Sequence, residues 1–135
     1  HTIALVMVDL DDFKGINDRY GHPCGDDVLR ATARNLQAVF PEAAGIGRVG
    51  GDEFAVALWL SDSCEALEAD CRRLIGLQST VRWQEAEALG VRCSIGVCCA
   101  SRPGLTYDLL YRAADDALYQ AKAAGKGRCC LRRRD

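Results

Sequence analysis

Histidine is scarce in this sequence: there are two, His1 and His22, in 135 residues. Two distant imidazoles exclude a histidine-built metal centre. The eight cysteines are Cys24, Cys64, Cys71, Cys93, Cys98, Cys99, Cys129 and Cys130. None forms a C-x-x-C pair, so the spacing of a zinc ribbon or a thioredoxin-type redox motif is missing. The adjacent pairs Cys98–Cys99 and Cys129–Cys130 lie in strand-like segments. Successive strand side chains point to opposite faces, so neither pair is placed to share one metal. The expectation is buried, reduced thiols, as in a cytosolic domain, with redox sensing as the alternative. Charge of one sign is also lacking, since Lys plus Arg is 17, Asp plus Glu is 19 and the net charge is −2. No basic surplus recruits nucleic acid, and no acidic block marks a disordered tail. The one like-charge run, Arg132, Arg133 and Arg134, reads as a solvated end. No apolar run is long enough to span a bilayer. The apolar segment from Ile3 to Val8 is short and runs directly into acidic residues, which is unlike a signal peptide.

What is present fits one compact domain, with a hydrophobic fraction of 49%. Thr2 to Leu10 is apolar and partly β-branched, which predicts a buried central strand. A short helix is expected from Asp12 to Asp18, broken by Gly21. Asp26 and Asp27 are expected to open a longer helix, with Val28, Leu29, Ala33, Leu36 and Phe40 at helical spacing, ended by Pro41 and Gly45. Gly45 to Val49 and Glu53 to Trp59 predict two short strands in a hairpin turning at Gly50–Gly51. Ser61 or Ser63 is a candidate cap for a helix carrying Leu67, Cys71, Leu74 and Ile75 on one face. Residues 79 to 90 give no clear pattern. Val91 to Cys99 reads as a strand containing Gly96. Thr106 caps a last helix with an apolar stripe of Leu109, Leu110, Ala113, Ala114, Ala117, Leu118 and Ala121. Gly125 and Gly127 end it, and Arg128 to Leu131 forms a final strand. The order is βααββαβαβ: an α/β (α+β) chain with a mixed sheet flanked by helices. Its βαββαβ core resembles the ferredoxin-like palm of nucleotide polymerases and cyclases.

Two acidic clusters stand out. One is Asp9, Asp11 and Asp12 at the end of the first strand. The other is Asp52 and Glu53 in the hairpin. A βαββ order sets the hairpin beside the first strand, so that Asp9 faces Asp52 or Glu53. Carboxylates gathered at strand ends repel unless a cation lies between them. Magnesium suits such a site, because it takes one or two carboxylates together with substrate phosphates. Each cluster taken alone also reads as ordinary turn and cap residues.

The segment Gly50-Gly51-Asp52-Glu53-Phe54 is the signature of the GGDEF family, the catalytic domain of diguanylate cyclases. It is accompanied by the run from Asp9 to Asp18, by Tyr20-Gly21-His22, by Gly25-Asp26, by Ser94-Ile95-Gly96-Val97 and by Ala114-Asp115-Asp116-Ala117-Leu118-Tyr119-Gln120-Ala121-Lys122 leading to Gly125-Lys126. These occur in the family's order, and the resemblance runs from Ile3 to about Arg128. It implies condensation of two GTP into cyclic di-GMP with Mg2+, or alternatively Mn2+, in a homodimer. It implies metal binding by Asp9, Asp52 and the Leu10 carbonyl, with Asp52 and Glu53 in catalytic roles. Asn17 and Asp26 match residues that hydrogen-bond guanine, and His22 matches a position lining the nucleotide site. The backbone of Asp12, Phe13 and Lys14 matches a phosphate-cradling turn. Lys122 and Lys126 match a basic pair that grips the terminal phosphates. The family often has arginine at the position of Lys126, and lysine keeps the charge without the bidentate fork.

Two departures qualify the resemblance. The family's Arg-x-x-Asp product-inhibition motif falls on Pro41 and Ala44, so no inhibitory site is expected. The further N-terminal helix that the family carries before its first strand is missing, so residues 1–135 are expected to be a single GGDEF domain without that helix. The resemblance further implies a regulatory or sensory domain upstream in the full-length protein, and a cytoplasmic domain whose parent is either soluble or membrane-anchored. Two other readings compete. One is a non-catalytic receptor for GTP or cyclic di-GMP, against which the intact Asp52–Glu53 pair weighs. The other is an interaction domain whose acidic clusters only decorate the surface.

Overall fold

The computed structural model describes residues 2–60, 64–84, 89–101 and 106–134. The elements follow the expected order: β1 (Thr2–Asp11), α1 (Phe13–Tyr20), α2 (His22–Val39), β2 (Gly45–Arg48), β3 (Glu53–Leu60), α3 (Glu65–Ser79), β4 (Arg92–Ala100), α4 (Tyr107–Ala123) and β5 (Cys129–Arg134). The strands form one sheet in the order β2-β3-β1-β4-β5. β1 is antiparallel to both β3 and β4, and β5 runs parallel to β4. The first four strands are thus the ferredoxin-like palm, with β5 added at the β4 edge.

The alternation of β1 divides the molecule into layers. Ala4, Val6, Val8 and Leu10 pack into a core with Val28, Leu36, Leu67 and Leu74 of α2 and α3. Leu5 and Met7 point the other way, into a smaller core with Leu110, Ala113, Ala114 and Leu118 of α4. β1 is therefore apolar on both faces, as a central strand must be. α4 lies very close to β4. A Cβ placed on Gly96 would collide with the backbone of Ala114 and Leu118, so only glycine permits this approach.

Two expectations are corrected, and a third lies outside the described residues. Asp26 and Asp27 do not open the second helix. α2 starts at His22, with Gly21 as its N-cap and proline in its first turn. Proline suits that position because its missing N–H would have no partner there. Asp26 is consequently an exposed residue inside the helix rather than its cap. Second, the cysteines are not all reduced thiols: Cys64 and Cys99 form a disulfide. Cys64 is the N-cap of α3 and lies over the end of β4, with a Cα–Cα distance of 6.5 Å, within bridging range. Third, the α3 cap expected at Ser61 or Ser63 falls outside the described residues. Thr106 does cap α4, its side chain accepting from the Leu109 N–H at 3.3 Å.

Candidate active site

Asp9 belongs to the β1 face that carries Leu5 and Met7, so it points toward α4. There its carboxylate forms an ion pair with Lys122, from the last turn of the helix. The strand register sets Glu53 of β3 directly opposite Asp9 on one side and Ser94 of β4 on the other. The Asp52 carbonyl accepts a hydrogen bond from the Leu10 N–H at 3.0 Å, which fastens the hairpin end to β1. The two acidic clusters are thereby joined, and Asp9 faces Glu53 rather than Asp52.

Electrostatically the site is held short of cation. Burial raises the pKa of Asp9; the hydrogen bond from Lys122 opposes this, while the charges of Asp52 and Asp11 add to it. Burial likewise raises Glu53, helped by the negative charges of Asp9, Asp115 and Asp52. Burial opposes charge on Lys122, but its hydrogen bond to Asp9 and the neighbouring carboxylates outweigh that and raise its pKa. One lysine thus serves several carboxylates. Asp9 Oδ1 is buried without a hydrogen-bond partner. A buried, unpaired carboxylate oxygen beside further carboxylates has the donor chemistry of a hard divalent cation's site. Among the described residues no group of three His, Cys, Asp or Glu side chains forms a cage by itself.

Asp11 and Ser94, of which only Asp11 had drawn notice as part of an acidic cluster, form a second network. The Ser94 hydroxyl donates to Asp11 at 2.9 Å, and the Gly127 N–H donates to the same carboxylate at 3.1 Å. This ties the turn after α4, which contains Lys126, to the end of β1. Lys126 has a left-handed backbone (φ 63°) and is exposed. It lines a cavity of about 260 Å3 with Asp11, Asp12, Arg19 and Arg92. Arg19 and Arg92 are further cations that no motif pointed out.

At the start of α1, Asp12 is also left-handed (φ 54°) and makes no side-chain cap. The first amides of α1, at Phe13, Lys14 and Gly15, have no intrahelical acceptor and present an anion-binding end. Asp12 pairs with Arg19 at 3.4 Å in solvent. Asn17 projects from α1 onto Gly25 of α2, and a Cβ on Gly25 would collide with the Asn17 amide and press on Phe13. Asn17 thus packs on the residue that precedes Asp26 in the chain. Asn17 Oδ1 is buried and has no partner. His22 and Asp26 are both exposed, one turn apart on the same side of α2. Pro41 and Ala44 lie beyond the end of α2, away from these groups in the chain.

The structure combines a palm-type sheet, carboxylates on adjacent central strands and a lysine that reaches them. The model of the family "Diguanylate cyclase, GGDEF domain" matches residues 1–128, and the chain belongs to that family. It is 36% identical over 132 residues to diguanylate cyclase DgcS of Shewanella oneidensis, covering 93% of this chain and 40% of that protein. It is 39% identical over 125 residues to the probable diguanylate cyclase DgcC of Escherichia coli K12, covering 93% of this chain and 33% of that protein. The chain therefore spans between a third and two fifths of the length of these relatives. Among solved structures, the active GGEEF domain of a diguanylate cyclase from Vibrio cholerae superimposes with a TM-score of 0.88 at 30% identity, covering 100% of this chain and 85% of that one.

Proposed function

We propose that this domain is a diguanylate cyclase unit that condenses two GTP into cyclic di-GMP with release of two pyrophosphates. The observation that carries this reading is a pair of orphans. Asp9 Oδ1 and Asn17 Oδ1 are buried acceptors without partners, and a nucleotide laid between them has a use for both. Guanine N–H groups meet the Asn17 oxygen and the carboxylate of Asp26. The triphosphate runs toward the open amides of Asp12, Phe13 and Lys14, with Lys122 and Lys126 as its cations and His22 at the rim. Asp9, Asp52 and the Leu10 carbonyl would hold the divalent cation, Mg2+ or in its place Mn2+. When bound, such a cation neutralises phosphate charge and eases ionisation of the attacking hydroxyl.

The 3′-hydroxyl of one GTP attacks the α-phosphorus of the other, and the pyrophosphate oxygen leaves. Asp52 or Glu53 takes the hydroxyl proton; the raised pKa of Glu53 suits that task. Each domain binds one GTP, so two domains meet face to face in a C2 homodimer and each supplies the other's attacking group. Residues 1–135 are a single GGDEF domain, regulated by a sensory or regulatory domain upstream in the full-length protein. No helix among the described residues is long and apolar enough to cross a membrane. The domain faces the cytosol, where GTP is, whether or not its parent is anchored. With Pro41 and Ala44 in place of the charged pair, product inhibition through that site is lost.

The test is product formation from GTP and Mg2+ at high protein concentration. The wild type is expected to yield cyclic di-GMP. Asp52→Ala is expected to lose activity on the order of a thousandfold, the loss of several kcal/mol of charge stabilisation. Undiminished turnover by Asp52→Ala would refute the assignment. GTP binding without product, even after the upstream segment is restored, would leave the receptor reading in its place.

A further inference from the structure

Away from the carboxylates, α3 and the start of β5 enclose a group of sulfur atoms. Cys71 is fully buried on α3. Its thiol donates a hydrogen bond to the sulfur of Cys129, the first residue of β5. Cys93 of β4 is close enough to act electrostatically on Cys71. Cys129 is half-buried, and it lines a cavity of about 270 Å3 together with Glu68, Arg72, Ile75, Gly127 and Arg128. One thiol thus lines a cavity that also holds the Glu68–Arg72 ion pair and Arg128, and a second, buried thiol hydrogen-bonds to it.

The two sulfurs are electrostatically unlike. The Cys71 hydrogen bond lowers the pKa of Cys129 against the cost of burial and the charge of Glu68, and Arg72 adds a smaller lowering. Cys71 is raised by that same bond and by burial, and Cys93 is pushed up to about 12 by burial. The nucleophile is the thiolate, so the accessible member of the pair is also the activated one. Cys130 provides a contrast. It follows Cys129 in β5, is equally half-buried, and points to the opposite face of the sheet.

We propose that Cys129 is a hydroperoxide-reactive thiol and that Cys71 is its resolving partner. The Cys129 thiolate attacks the terminal oxygen of a hydroperoxide. An S–O bond forms, the O–O bond breaks, and hydroxide or alkoxide leaves and takes up a proton. Sulfur is oxidised to the sulfenic acid and the peroxide is reduced. Cys71 then attacks the Cys129 sulfur: an S–S bond forms, the S–OH bond breaks, and the hydroxyl leaves with the Cys71 proton as water. The bond would join α3 to β5 two residues beyond Gly127. It is distinct from the Cys64–Cys99 disulfide, which joins the start of α3 to β4.

The experiment treats the reduced chain with hydrogen peroxide, blocks remaining thiols with an alkylating agent and maps the peptides by mass spectrometry. A Cys71–Cys129 cross-link is expected, with Cys129 lost at least tenfold faster than Cys130. In Cys71→Ala the sulfenic acid is expected to persist at Cys129 and to be trapped by dimedone. In Cys129→Ser, Cys71 is expected to remain a thiol at the same peroxide dose. Equal oxidation rates for Cys129 and Cys130 in the wild-type chain would overturn the proposal, and that comparison needs no variant to fold. Oxidation of Cys129 without a cross-link to Cys71 would overturn the resolving role.

Discussion

Lys122 and Asp9 meet across the interface between α4 and β1, and their ion pair holds the last turn of that helix to the carboxylates of the site. The side chain of Asp9 is only 11% exposed, so its charge depends on this partner. Lys122→Met is expected to leave a buried carboxylate uncompensated and to cost about 1–3 kcal/mol at neutral pH. The sign with pH follows from the raised pKa of Asp9. A carboxyl held more weakly ionised in the folded chain than in the unfolded one disfavours folding as pH rises through that window. The gap between variant and wild type should therefore shrink as the pH falls toward 4 and below. Urea unfolding at several pH values measures it, and a gap independent of pH would show that Asp9 does not depend on Lys122.

Glu53 is raised first by burial and then by the charge of Asp9, which stands opposite it on the neighbouring strand. Like charges paired directly across a sheet are destabilising by a fraction of a kcal/mol. Glu53→Gln removes the repulsion and keeps the shape. In the metal-free domain it is expected to stabilise by about 0.5 kcal/mol at pH 7. The gain should disappear at acid pH, where the wild-type carboxyl is neutral, because a raised folded-state pKa withdraws stability only as the group ionises. Activity should fall in the same variant. A substitution that stabilises the fold while weakening turnover is the signature of a charge kept for chemistry.

Much of this was legible in the residues themselves. The alternation of β1, the caps and glycines, and the helical stripe of α4 prescribe the element order, and the hairpin follows from Gly50–Gly51. The acidic clusters came from carboxylates at strand ends, and Asn17, His22, Asp26, Lys122 and Lys126 from the resemblance to the GGDEF family. What escaped has physical causes. α2 starts before Asp26 because a glycine with positive φ followed by proline already supplies a helix start, and the acidic pair is then free to face solvent. The Cys64–Cys99 bond depends on how α3 lies over β4, a tertiary relation between residues 35 apart that spacing does not encode. Arg19 and Arg92 reach the site from exposed positions that follow no pattern. Ser94 belonged to the Ser94-Ile95-Gly96-Val97 motif without an assigned role, although the register sets it opposite Asp9.

Ser94 is fully buried, and its hydroxyl lies between two groups. It donates to Asp11 and accepts from the Gly127 N–H at 3.3 Å. Ser94→Ala removes the bridge and leaves Asp11 with the Gly127 amide alone. A loss of about 1–3 kcal/mol is expected for buried polar groups so left. Because the turn held by Asp11 carries Lys126, a weaker affinity for GTP should accompany the loss. Titration with a non-hydrolysable GTP analogue at a temperature where both proteins are folded would separate the two effects. Unchanged affinity would mean that the turn needs no such anchor.

Gly96 marks where α4 rests on the sheet. Its missing Cβ is the space taken by the Ala114 carbonyl and the backbone of Leu118, both rigid parts of a helix. Gly96→Ala cannot be absorbed by turning a flexible side chain, so α4 has to lift. Overpacking of this kind costs about 1–3 kcal/mol. The displacement should also be felt at Lys122, four residues beyond Leu118 on the same helix, which would be drawn away from Asp9. Activity is therefore expected to fall by more than the lost folded fraction explains. Thermal unfolding gives the first quantity, and turnover measured well below the transition gives the second. If turnover per folded molecule were unchanged, the grip of Lys122 on Asp9 would not depend on how closely α4 sits against β4.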